Sequence, residues 1–270
     1  MNQMNKEFAP LSPRHLVLIP SYNAGRKALQ TVREARKAGF PVCVVIDGST
    51  DGTAEQLTQL ARSDSGLRVL VLPVNQGKGA AILHGLRDAL ARGYTHVLTM
   101  DSDGQHPAAM IPDFVAASKR RPAALILGKP VFDHTAPRER VIFRRLCNGL
   151  VDLETLHAGI GDSLFGMRVY PAKALLDVME SHGSMRRFDF DVESAVRLVW
   201  RGATPINIPT PVRYFTADEG GVSHFNYLRD NVLLGSMHLR LALGFLWRLP
   251  MLLMRRLRSR MNAGKDIRTQ

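Results

Sequence analysis

The feature that most constrains this chain is a series of short segments that are apolar at nearly every position. HLVLIP (15–20), PVCVVID (41–47), LRVLVLP (67–73), THVLTMD (95–101) and AALILG (123–128) are β-rich runs of this kind. Helical stretches fall between them, near 26–38, 53–62, 79–92 and 108–120. A strand that is apolar on both faces has to be covered on both. Four strand–helix–strand units in succession predict an α/β fold, an open, mainly parallel, doubly wound sheet with helices on both faces. Ligands of such sheets lie outside the carboxyl ends of the strands. IPSYN (19–23), IDGSTDGT (46–53) and TMDSDGQHP (99–107) all fall at that edge.

The second half reads differently. An Arg-rich amphipathic helix (about 138–156) leads into GDSLFGMRVY (161–170), which has the pattern of a strand or hairpin. Helices near 171–182 and 189–201 follow, then a Pro-punctuated strand at 203–215. The 270 residues, 45% hydrophobic and 22% charged, fit one large α/β domain with a small appendage. The expected organisation is a flexible N-terminus (1–14), one α/β domain (15–225), a helical segment (226–260) and a disordered tail (261–270). Cys43 and Cys147 show no ligand spacing and read as reduced core thiols of a cytosolic protein. The N-terminus lacks the basic start and apolar core of a signal peptide.

Chemistry concentrates at Asp101, Asp103 and Gln105. On an extended chain, alternate side chains point the same way. Three oxygen-bearing groups would then converge and suit Mg²⁺ or Mn²⁺, which leave coordination sites for a substrate's phosphates. The alternative is a polar turn into a helix, with Asp103 or Gln105 as a local cap. Tyr22 can lie against a flat base, and Asp47 can accept from a uracil or guanine imide. IDGSTDGT also fits an Asx turn followed by a helix N-cap. NQGKGAA (75–81) fails the Walker pattern, since Leu72 stands where a glycine is needed and Gly79 follows the lysine. Its glycines suit a tight strand-to-helix turn, which leaves Lys78 as a candidate phosphate contact.

Taken in order, IPSYN, IDGSTDGT, NQGKGAAILHGL, LTMDSDGQHP, GDSLFGMRVY and FDFDVESAVRLVWRGATPINIPTPVRY resemble the family 2 glycosyltransferases. The likeness is greatest to the dolichol-phosphate mannose synthase type and covers residues 15 to about 224. The resemblance implies a GT-A fold and inverting transfer of a sugar from a nucleotide diphosphate donor. It places Pro20, Tyr22, Asn23 and Asp47 at the nucleoside, and Asp101 and Ser102 near the ribose. Asp103 and Gln105, with Asp101, would share a metal with the diphosphate. Lys129 and His224 fall where such proteins present basic residues to phosphates, and Asp162 is the implied general base. A turn aspartate is the alternative for Asp162. Asp189, Asp191 and Glu193 suit either a helix start or a contact to sugar or acceptor.

Three departures from the family pattern stand out. Ile46 precedes Asp47 where a second acid is common, His224 replaces a lysine, and Leu164-Phe165 replaces small or polar residues. The Gln-x-x-Arg-Trp signature of processive synthases is absent, which predicts transfer of a single sugar.

Charge adds a partner. Net charge is +12, and from Arg240 onward eight Lys/Arg stand against Asp266, leaving +5 for the first 239 residues. Arg240 and Arg248 interrupt residues 232–257 as a membrane span. On a helical wheel Arg240, Arg248, Arg255 and Arg258 share an arc, with Leu246, Leu249, Leu253 and Leu257 broadly opposite. This predicts a basic amphipathic helix lying in a membrane interface, on a peripheral protein of the cytoplasmic face with a lipid-like acceptor. Packing of the leucines on the protein or on a second subunit, giving a homo-oligomer, is the alternative. Nucleic acid is not expected, because the basic residues alternate with leucines rather than stacking aromatics. A sugar nucleotidyltransferase, the rival enzyme, would need a Gly-rich, Arg-containing N-terminal loop, and IPSYNAGRKAL has one glycine. The remaining rival is a catalytically degenerate nucleotide-binding module.

Overall fold

A computed structural model of the chain describes residues 14–132, 138–212 and 227–266. Alternation within each strand explains the continuous apolar runs. Along β1 (His15–Ser21), Leu16 and Leu18 enter one apolar cluster, while Val17 and Ile19 enter another on the opposite face. In β2 (Val42–Asp47), Cys43 and Val45 face the first cluster and Val42, Val44 and Ile46 the second. Successive strand side chains point to opposite faces, so burial on both sides demands apolar residues throughout.

The remaining strands are β3 (Leu67–Leu72), β4 (His96–Thr99), β5 (Leu125–Val131), β6 (Arg168–Pro171) and β7 (Pro205–Pro211). All seven form one sheet in the order β3-β2-β1-β4-β6-β5-β7. Helices α1 (Gly25–Lys37), α2 (Thr53–Ser63) and α4 (Ile111–Arg120) cover one face. Helices α3 (Lys78–Ala91), α5 (Arg138–Glu154), α6 (Ala172–Glu180), α7 (Asp189–Trp200) and α8 (Tyr227–Asp266) contribute to the other.

Two expectations change here. β4 ends at Thr99, so Asp101 to Gln105 lie beyond the strand. β5 is not beside β4: β6 runs between them, antiparallel to both, with Val169 opposite Leu98 and Ile126. The 161–170 segment is thus one short inserted strand rather than a hairpin. The sheet is mainly parallel, with this one reversal. β7 carries Pro205, Pro209 and Pro211 at the sheet's edge, where a missing N–H costs no ladder bond.

Arg168 on β6 is wholly buried. Its guanidinium donates to the carbonyls of Phe165 (2.7 Å), Ser163 (2.7 Å) and Asp191, and to the Tyr170 hydroxyl (3.3 Å). A buried charge is tolerable when its donors are satisfied in this way. The cage fixes the 161–167 loop against α7 and the sheet edge.

α8 runs unbroken through Pro250. Its Leu234, Met237, Leu241 and Leu252 are buried, against α7 and α5. The arginine stripe faces the protein, not a headgroup layer. Arg240 lies 3.1 Å from Glu193, Arg248 stands 5.0 Å from the Trp200 ring centre, and Arg255 donates to the Trp200 carbonyl at 2.6 Å. The side chain of Arg258 lies outside those described. Leu246, Leu253 and Leu257 point outward. The residues 229–257 are long and apolar enough to cross a membrane by length and composition. However, one face of this helix is packed on the domain from Asp230 to Arg255.

Candidate active site

The loops leaving β1 and β2 are stitched together. Asn23, at φ 45°, accepts from the Thr50 N–H (2.8 Å), and its own N–H donates to Ser49 Oγ (3.0 Å). The Gly25 N–H donates to Asp51 (2.8 Å). Asn23 is therefore a fastener between loops. Pro20 is buried at the end of β1, and Tyr22 is half-buried just beyond the strand.

Asp47 ends β2, at the carboxyl edge. Its carboxylate accepts from the Gln76 N–H (2.8 Å), the Gly77 N–H (2.7 Å) and Asn75 Nδ2 (3.0 Å), and the residue is 2% exposed. Both oxygens are occupied by the chain itself. Asp47 thereby fixes 75–77 at the end of β2, with about one acceptor position of its carboxylate left over. The next turn needs its glycines. Gly77 has φ 101°, and a Cβ on Gly79 would come within 1.9 Å of the Met185 carbonyl oxygen.

So held, Lys78 at the start of α3 points between two carboxylates. Its Nζ is 2.8 Å from Asp101 and 2.7 Å from Asp191. Burial alone would lower its pKa, but these two anions raise it above the ordinary lysine value, so the ammonium stays charged. Burial would likewise push Asp101 up, and Lys78 beside it reverses that and holds it below the usual carboxylate range.

Residues 101–107 form a turn, so alternation along an extended chain does not bring their oxygens together. The Gln105 N–H donates to Asp103 (2.9 Å), Gly104 takes φ 79°, and the Asp101 N–H donates to His106 Nδ1 (2.9 Å). Burial, then the charge of Asp101, raise the Asp103 carboxyl above its ordinary value. Two half-buried carboxylates, one of which disfavours the charge of the other, at the carboxyl edge of the sheet fit a dication. Among the described residues no three His, Cys, Asp or Glu side chains group tightly enough to hold an ion. A cation at Asp101 and Asp103, with the Gln105 amide near, would complete its shell from water or phosphate. His106 is buried edge-on against Phe165 at 4.5 Å, and burial lowers its pKa, so it stays neutral.

Asp162 sits in the loop before β6, 2% exposed. One oxygen accepts from the N–H groups of Leu164 (3.0 Å) and Phe165 (2.7 Å) and from Arg144 of α5 (2.5 Å), while the other faces Asn148 (3.3 Å). It is a turn aspartate and an arginine partner at once. The Arg144 side chain is itself only 18% exposed. Four residues further on, Gly166 passes so close that a Cβ would lie 2.8 Å from Asp101 and 2.9 Å from Lys78.

The three acids of α7 separate by role. Asp189 caps its own N-terminal loop through the N–H groups of Met185 (3.0 Å) and Arg187 (2.9 Å). Glu193 is buried among Arg197 (2.6 Å), Arg240 (3.1 Å) and Ser184 (2.9 Å). Of the three, only Asp191 joins the Lys78 cluster, and its Oδ1 is buried without a hydrogen-bond partner among the described residues. Ser102 is buried beside Asp101, Lys129 is exposed on β5 opposite Pro209 of β7, and His224 lies outside the described residues. His106, Arg168, Asn148 and Gly166 were not singled out by sequence. Only His106, inside DSDGQHP, carries a local signal.

The family model for glycosyl transferase family 2 matches residues 16–178. The undecaprenyl-phosphate mannosyltransferase of Micrococcus luteus is 29% identical over 211 residues, 73% of this chain and 82% of that protein. The polyprenol monophosphomannose synthase of Mycolicibacterium smegmatis is 29% identical, over 78% of this chain and 80% of its own length. Among solved structures, glucosyl-3-phosphoglycerate synthase from Mycobacterium tuberculosis, with Mn²⁺, UDP-glucose and phosphoglyceric acid, superposes with TM-score 0.56 at 18% identity, covering 87% of this chain and 79% of that one. S. aureus TarS 1–349 with UDP-GlcNAc gives TM-score 0.51 at 19% identity, covering 78% of this chain and 61% of that one. These neighbours have the GT-A fold, and the reversed β6 between β4 and β5 belongs to the same mixed sheet. With the family model covering more than half of its length, from β1 into α6, the chain belongs to the family 2 glycosyltransferases.

Proposed function

We propose that this glycosyltransferase moves a single sugar, with inversion, from a nucleoside diphosphate sugar to a polyprenyl phosphate or similar lipid phosphate, using a divalent cation. The observation that carries this reading is the cluster of Asp101, Lys78 and Asp191 beside Asp103 at the carboxyl edge of the sheet. The names of the two mannosyl-transferring relatives support the acceptor class, and the Mn²⁺ of a solved neighbour supports the cation. Bound at Asp101 and Asp103, the cation supplies Lewis-acid stabilisation of the departing diphosphate. Lys78 adds a fixed positive charge on the same side, held in place before reaction so that no reorganisation is needed. Pro20 and Tyr22 border the nucleoside end, and Asp191 presents a free buried oxygen for a sugar hydroxyl.

The acceptor class decides the role of Asp162. A phosphate monoester has its second pKa near 6 and is largely deprotonated at neutral pH, so no base need remove a proton from it. With its oxygens engaged, Asp162 then acts through Arg144, aiming a cation at the incoming phosphate. For a hydroxyl acceptor the same carboxylate would have to release Arg144 and take a proton. The reading makes the protein peripheral at the cytoplasmic membrane face, with two free, buried cysteines as a minor support.

A donor-hydrolysis screen over UDP- and GDP-sugars, with and without Mn²⁺, tests it. One nucleotide should support metal-stimulated hydrolysis, and Asp103→Ala should lower that rate by about 10²–10³-fold. An unchanged rate in the variant would remove the metal assignment.

A further inference from the structure

The outward face of α8 does not end at its own edge. From Val232 to Leu257 the exposed large hydrophobics are Val232, Leu239, Leu243, Leu246, Trp247, Leu253, Met254 and Leu257, with Trp247 at 85% exposure. At about 100° per residue they fall in an arc of roughly 120° that contains no charged residue between those ends. α5, packed against α8, repeats the pattern: Ile142, Phe143, Leu146, Leu150 and Leu153 are exposed. The opposite side of α5 carries Arg144 and Asn148, both bound to Asp162. One helix therefore has an apolar face to solvent and its other face in the candidate acceptor site.

We propose that α5 and α8 together form one bilayer-docking surface, with α5 setting the Arg144–Asp162 end of the site at the headgroup layer. The proposal rests on the lipid-phosphate acceptor read above. A bilayer fits this surface better than a second copy of the chain does. The stripe on α8 is wider than a coiled-coil seam, Pro250 interrupts it, and the charges beside it, Arg240 and Arg256, are both positive, so a second copy would meet like charge. Contiguous exposed apolar area of this extent marks an interaction or membrane site. Arg145 and Arg256, exposed on the same two helices, suit anionic headgroups.

The test uses the full chain with phosphatidylglycerol-containing vesicles, scored by co-sedimentation. Ile142→Glu with Leu146→Glu should weaken binding by at least about tenfold, as should Leu243→Glu with Leu246→Glu. Metal-stimulated donor hydrolysis should be unchanged in both pairs. In a Trp247→Phe background, Leu146→Trp should be quenched by acyl-brominated lipid. Binding that survives the α5 pair, or an unquenched indole, would overturn the proposal. So would a dimer, by ultracentrifugation, that either pair dissolves while wild type ignores vesicles. Absence of donor hydrolysis in wild type would instead sink the transferase reading and leave the vesicle result standing.

Discussion

Lys78 shows how much one side chain's neighbours decide. A lysine buried alone would lose its proton, whereas one held between Asp101 and Asp191 keeps it and becomes a fixed charge where phosphates are expected. Gly166 is the complementary case, a residue whose value lies in having no side chain. A methyl there meets only the far ends of Asp101 and Lys78, so the fold can absorb it while the cluster cannot. Gly166→Ala should leave thermal stability nearly unchanged and lower kcat/KM for sugar transfer by about 10²-fold, since misplacement of about an ångström has that effect. Steady-state kinetics with a thermal melt checks both halves. Gly128 answers a different need. The buried Phe165 ring fits because Gly128 leaves room: a Cβ would lie 2.4 Å from its Cδ1. Gly128→Ala should destabilise the protein by about 1–3 kcal/mol in urea unfolding, as overpacking does.

At the scale of elements, α8 is held on by polar latches as well as by its four buried apolar residues. His238 of α8 lies 3.0 Å from Glu154 of α5, with Cys147 of the same helix beside it. Burial opposes protonation, but Cys147 and Glu154 outweigh it and lift the imidazole to about 9 from an ordinary 6.5. A raised pKa in the folded state stabilises it fully below about pH 6.5, and this contribution fades as pH rises through about 9. The melting temperature should therefore fall between pH 7 and 10 more steeply in wild type than in His238→Gln, with Cys147→Ser as the control for the thiol. Equal slopes would mean that the latch contributes nothing.

At the scale of the molecule, α8 is part of the catalytic body rather than a tail attached to it. Leu234, Met237, Leu241 and Leu252 complete an apolar cluster that also contains β1, α3, α6 and α7. Each such side chain is worth about 1.5–3 kcal/mol of burial, an upper figure because unfolded chains are themselves partly collapsed. Cutting the chain before residue 227 should lower the melting temperature by on the order of 10 °C, given about 2–4 °C per kcal/mol for a domain of this size. Calorimetry of the truncated protein checks this, and a melt as high as wild type would make α8 an appendage after all. Point substitutions on the outward face are accordingly the sounder way to probe membrane contact.

The boundary between what the sequence determined and what folding added follows range. The two-sided sheet, its parallel first half and the edge that holds the chemistry were legible because strand burial writes itself into consecutive residues, as in Leu16 to Ile19. The motif order identified the family for the same reason: each block is local. What could not be read was pairing between distant segments. Nothing near Arg168 announces that β6 will slip between β4 and β5, or that its guanidinium will cage the Asp162 loop. Asp189 reads as either a helix-start residue or a ligand contact, and its bonds to the Met185 and Arg187 N–H groups are of the first kind. The N–H groups that Asp47 accepts from lie 29 and 30 residues along the chain, where nothing local announces them. Helical periodicity separated the arginines of α8 from its leucines correctly, yet only packing decided which face turned inward. The arginines did, because Glu193 and the Trp200 ring and carbonyl lay waiting there, and a charge that finds such partners loses less on leaving water than one that finds none.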